Sequence, residues 1–300
     1  MKKSSKTYSI FLIAFALITL MGIVFCTLSL CLSYDFKISN IRLNNAFSIL
    51  FIVFSSLCFA TPIILSIITK PTGKITRTIN GTLFFKIASG FLIASLLPLM
   101  VYDSILVVKE FWLLTKVYVY TGSSLFACFK QYFELWRFLR ILLSFPLIGH
   151  LSFTFLPKEA DVPRSLKTVF HVCAVFWPIV TPIMYYFYPT MPDTHPIPEF
   201  FKVTFSVLFI MLTLFFLFEF KWIYFEPGIR VYSAITAITS MFAFIVSVST
   251  IISVIGKLTI YEMSISIFEV IVSLVLAFFV LAKWIETYKT IKIVAKQENQ

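Results

Sequence analysis

The stretch FKVTFSVLFIMLTLFFLFEFKWIYFEPGIR at residues 201–230 decides the fold. From Val203 to Phe218 no side chain is more polar than Thr204, Ser206 or Thr213. At about 1.5 Å per residue, a run of about 20 such residues matches the roughly 30 Å hydrocarbon core of a bilayer. Its exit carries the marks of a headgroup boundary: Glu219 and Lys221, then Trp222 and Tyr224, then Glu226-Pro227-Gly228, where proline stops a helix and glycine permits a reversal. The stretch reads as a transmembrane helix.

Outward from it the same unit repeats. Apolar runs bounded by charges, aromatics and turn residues predict spans at about 9–33, 46–69, 83–107, 135–156, 169–189, 201–222, 230–255 and 260–282. The expected fold is all-α, a polytopic transmembrane helix bundle of about eight spans forming one domain over residues 1–300, with an amphiphilic tail at 283–300. Prolines at 62, 98, 178 and 182 fall inside these spans and predict kinks. The N-terminal run is too long for a signal-peptide core and lacks a small-residue exit, so it is expected to stay as the first helix.

Composition excludes whole classes. The chain of 300 residues is 59% hydrophobic and only 13% charged, whereas soluble domains are about a quarter charged. The net charge of +11 would suggest nucleic acid in a soluble protein. Here Lys and Arg gather in short connections such as KPTGKITR at 70–77, where they set orientation; nucleic-acid binding is not expected. The basic segments at 70–77, 158–167 and 283–296 belong on the cytoplasmic side, which places both termini there. The sequon Asn80-Gly81-Thr82 would then go unused.

Two candidates compete for the fourth span, 111–129 and 135–156, and only one can cross if the basic loops are to share a side. The second is longer and richer in Leu and Phe; the first holds Lys116 and the polar group Thr121-Gly122-Ser123-Ser124. The reading takes 135–156 as the span and leaves 111–129 at an interface. Lys130, Glu134 and Arg137 recur at i, i+4, i+7 and form a polar stripe able to snorkel to the surface.

Ionisable residues inside apolar spans are costly and mark candidate sites. Asp103 is expected about one turn inside the outer end of helix 3, and Glu269 about 13 Å into helix 8 at roughly 1.5 Å per residue. If 135–156 crosses inward, Arg137 and Arg140 reach the same depth, so Asp103, Arg137, Arg140 and Glu269 are expected to meet in a ligand-binding cluster in the outer half of the bundle. Glu219 and Lys221 are expected as an interfacial ion pair. His150, His171 and His195 show no H-E-x-x-H spacing, and Cys26, Cys31, Cys58, Cys128 and Cys173 no C-x-x-C, so neither metal nor cofactor is expected.

The segments FWPIV at 176–180, FEFKW at 218–222, GIRVY at 228–232 and LPLMVYD at 97–103 resemble those of eight-helix membrane proteins common in clostridial bacteria, a family with no assigned activity. The resemblance implies a bacterial plasma-membrane location. It also implies that an arginine-bearing start such as WRFLR at 136–140 opens a true span.

With the lipid bilayer as its surroundings, such a chain suits a structural, sensory or accessory role beside a membrane-protein partner. The alternative is a permease for a small molecule or ion that uses the outer cluster. No nucleophile, base and orienting group occur at workable spacing, so an enzyme is not expected.

Overall fold

The computed structural model describes residues 2–32, 34–35, 40–41, 45–69, 82–122, 124, 126, 134–156, 162–187, 199–225, 229–255 and 266–297. Among the described residues, eight helices are long and apolar enough to cross a membrane. They are α1 (Lys2–Leu32), α2 (Ala46–Thr69), α3 (Leu83–Thr121), α4 (Leu135–Ser152), α5 (Arg164–Phe187), α6 (Glu199–Phe225), α7 (Ile229–Ile255) and α8 (Ile267–Gln297). One 3-10 turn, Phe153–Phe155, extends α4, and Tyr34 and Asp35 pair antiparallel with Ile41 and Asn40 between α1 and α2. The expected sequon, the Lys70–Arg77 connection, His195 and the proline-rich segment 188–198 lie wholly or mostly outside the described residues.

Helices α3 to α8 close into a ring: each packs on the next, and α8 returns to α3. α1 and α2 pair with one another and lie against the outer side of α7. Small residues let α7 serve as this hub. Ala237, Ser240, Ala243 and Ser247 are buried along it; Ser240 donates to the Ala277 carbonyl of α8, and Ser249 to the Ile23 carbonyl of α1. In a bilayer, where lipid tails are as apolar as leucine, such close approach and interhelical hydrogen bonds do much of what hydrophobic burial does in water.

The middle of the ring is filled with aromatic side chains. Phe205, Phe209, Phe215, Phe279 and Trp177 are all fully buried, with Trp177 edge-on to Phe209 at 6.1 Å and Phe279 against both Phe215 and Phe85.

Two boundaries change what the sequence suggested about depth. α3 does not stop near 107 but runs on through Phe111–Tyr120 to Thr121, where Gly122 takes the left-handed conformation (φ 63°) that ends it. The first part of the rival span is therefore the continuation of α3. At 39 residues, or about 58 Å, this helix exceeds a hydrocarbon core by almost a factor of two. α8 begins at Ile267, with the Ser266 hydroxyl accepting from the Phe268 amide, so Glu269 sits in its first turn rather than two turns deep. A carboxylate there also faces the positive end of the helix dipole.

Candidate functional site

Charge gathers at two places inside the ring, one at each end. The first lies where α4 and α8 begin and α5 ends. Asp103 is about 30 Å along α3 from Leu83, one core thickness, which brings it level with the second turn of α4 and the first turn of α8. Arg140, 2% exposed, reaches both acids from α4. Its Nε and Nη2 donate to the two oxygens of Asp103 at 2.8 and 2.6 Å in a bidentate fork, and its Nη1 donates to Glu269 Oε1. Tyr185, in the last turn of α5, donates to the other Glu269 oxygen at 3.4 Å. Asp103, Arg140 and Glu269 thus meet as the sequence suggested, at the end of the bundle rather than two turns into helix 8.

Arg137 carries the network outward. Its Nη1 donates to Glu110 of α3, its Nη2 lies 2.7 Å from Glu134, and its Nε stands 4.0 Å from Asp103. The contact with Glu134 is close but out of line: among the described residues neither Glu134 oxygen has a hydrogen-bond donor. The Glu134 amide instead donates to Glu110 at 3.1 Å, which ties the start of α4 to α3. Burial pushes the Glu134 carboxyl up to about 7, with Arg137 opposing the shift and Glu110 adding to it.

Glu110 and Glu134 are the members of this cluster that sequence reasoning did not bring into it. The stripe of Glu134 and Arg137 was expected to snorkel outward, yet both side chains are buried against α3. The signal was present in Glu110 itself, seven residues after Asp103 and hence two turns along the same helix face. Across this end four buried carboxylates, Asp103, Glu110, Glu134 and Glu269, face two guanidiniums.

The second cluster lies at the opposite end, where α4 and α6 finish. Glu219 does not pair with Lys221. Residues two apart on a helix point to different sides, so Lys221 is exposed while Glu219, 2% exposed, turns into the ring and accepts from Lys283 of α8 at 2.9 Å. Lys283 also lies over the Phe85 ring, 4.5 Å from its centroid. His150 of α4 and His171 of α5 complete the group with ring centroids 4.3 Å apart.

Gly149 adjoins this group. A Cβ at that position would overlap the Phe170 ring, so glycine makes room for that ring against α4, next to the His150–His171 pair. Between the two ends, α4 presents Ser144, whose hydroxyl accepts from Trp177 Nε1 at 2.8 Å, and Leu147, which is fully buried.

Fold and site together define an integral membrane protein of eight spanning-capable helices with buried ionic clusters at both ends of a six-helix ring. Comparison with known proteins finds no matching family model, no matching curated protein and no matching solved structure.

Proposed function

We propose that the chain is a permease for a small cation, or for a small solute moved together with protons, and that the Asp103–Arg140–Glu269 network is its uptake site. The observation that carries this reading is the excess, among the described residues, of two buried carboxylates over guanidiniums at one end of the ring. Such a group, in a low dielectric, lowers its energy by taking up a proton or a cation. The aromatic fill between two polar ends describes a closed conduit, with a site on one side and a plug below it.

The distribution of Lys and Arg supports an outward-facing Arg140 end and cytoplasmic termini, and the resemblance to clostridial membrane proteins implies that the membrane is a bacterial plasma membrane. The reading requires no catalytic step.

Purified protein in liposomes tests it. Internal pH, Na+ and K+ would be followed after a potential is imposed. Wild-type vesicles should take up at least one of the three ions faster than empty vesicles. Equal rates for all three, with right-side-out protein present, would remove the cation reading.

One observation favours a second role, as a sensory or accessory subunit. Beyond the ring α3 carries Phe111, Trp112, Val119 and Tyr120 exposed, a surface for a membrane-protein partner. Photo-crosslinking from position 112 in intact cells would capture that partner, and an absence of any crosslinked species would count against it.

A further inference from the structure

Beyond the permease reading, and independent of it, we propose that His150, His171 and Glu219 form a binding site for a divalent transition-metal ion of the zinc, iron or manganese type. Two imidazoles and a carboxylate are a donor set suited to such ions, with room for one or more further ligands.

Spacing separates this reading from an ordinary hydrogen-bonded cluster. His171 Nε2 and His150 Nε2 stand 3.7 and 4.0 Å from Glu219 Oε2, and one ligand atom from each residue lies within 4.8 Å of the other two. Hydrogen bonds between imidazole nitrogen and carboxylate oxygen would hold those atoms at about 2.7 to 3.2 Å. Ligands at about 2.0 to 2.2 Å from a shared tetrahedral ion lie roughly 3.3 to 3.6 Å apart. The two imidazole–carboxylate separations are too long for the first arrangement and within a few tenths of an ångström of the second, and the three ligand atoms, within 4.8 Å of one another, draw together when an ion binds.

The carboxylate supplies an independent pointer. Glu219 is buried, and while Oε1 accepts from Lys283, Oε2 has no hydrogen-bond partner among the described residues. A buried carboxylate oxygen without a donor forfeits its hydration with nothing in return. It is this oxygen that points at both imidazoles. A competing contact belongs to His171, whose Nε2 lies 3.2 Å from the Phe216 carbonyl. Moving that proton to Nδ1 frees Nε2 as a ligand.

Lys283 sets the affinity. Its ammonium neutralises Glu219 and repels an incoming dication through a short, poorly solvated path. The site is therefore tuned to bind and release rather than to hold an ion permanently, and removing the lysine charge should tighten it.

The test uses full-length protein in detergent, stripped with chelator and titrated with Co2+. One equivalent should produce the visible d–d bands of a four- or five-coordinate ion, and Zn2+ should displace it. His150→Ala, His171→Ala and Glu219→Gln should each weaken binding by at least about tenfold, while Lys283→Gln should strengthen it by about tenfold. The wild-type chain gives a readout that needs no variant: Cu2+ bound in place of Co2+ should show EPR hyperfine coupling to two imidazole nitrogens. Absence of bands in the wild type, coupling to no nitrogen, or unchanged affinity in folded histidine variants would overturn the proposal and leave an adventitious ion only.

Discussion

The two ends of the ring bury comparable groups in opposite ways. At the Arg140 end, geometry is closed: the guanidinium forks onto Asp103, its remaining nitrogen meets Glu269, and Tyr185 caps the far oxygen. At the Glu219 end geometry is open, with one strong contact to Lys283 and two imidazoles held beyond hydrogen-bond distance. The reason lies in the side chains. A planar fork of five donors can satisfy several acids at once, whereas an ammonium on a flexible stem satisfies one and leaves the rest to something else. The first arrangement can lock helices α3, α4 and α8 together; the second leaves coordination to be completed.

The comparison breaks most visibly if Arg140 alone is removed. Arg140→Gln leaves two buried carboxylates without their cation and should cost about 3–5 kcal/mol. Thermal unfolding in detergent, followed by helical circular dichroism, should show the largest loss of any single variant here. A melting temperature equal to wild type would mean the fork is not formed.

A smaller effect should fall on the other end alone. Gly149→Ala forces the Phe170 ring away from α4, with an overpacking cost of about 1–3 kcal/mol. The His150–His171 approach should open while the Arg140 network stays intact. Double electron–electron resonance between labels on the ends of α4 and α5 would register the change.

A further effect concerns pH. The Glu134 carboxyl, lying just before the α4 span, is pushed up to about 7 in the folded chain from an ordinary 4.5. The folded state then holds a proton that the unfolded state has released between those values. This contribution to stability is complete below pH 4.5, declines as pH rises from 4.5 to 7, and is gone above it. Glu134→Gln should flatten that slope in a pH series of melting curves, and an unchanged slope would assign it to another group.

Much of this was legible in the sequence, for uneven reasons. Membrane spans announce themselves because about 20 apolar residues have few other stable homes, and the runs at 46–69 and 201–222 lie within about three residues of α2 and α6. Asp103, Arg140 and Glu269 could be brought together because each is too costly in lipid to stand alone.

The overrun of α3 was hidden because Lys109 and Glu110 look like a helix exit, and only the fold reveals that Arg137 neutralises the glutamate. His150, His171 and Glu219 were hidden more thoroughly. They come from three helices with no local spacing between them, and the one sequence clue was Gly149, a glycine beside a histidine in an otherwise bulky apolar run. Glu219 was paired with Lys221 on proximity along the chain, where helical geometry favours partners three or four residues away or on another helix.

Whether the Arg140 network is an uptake site or only a clamp can be decided by removing all of its charges at once. Asp103→Asn, Arg140→Gln and Glu269→Gln combined leave none of these three groups charged without its partner and do not alter Arg137, Glu110 and Glu134, so the triple variant should fold with a melting temperature near wild type, far above that of Arg140→Gln alone. Cation flux into liposomes is then the measurement. The account predicts that the well-folded triple variant moves no ions above the rate of empty vesicles, and flux at the wild-type rate would contradict it.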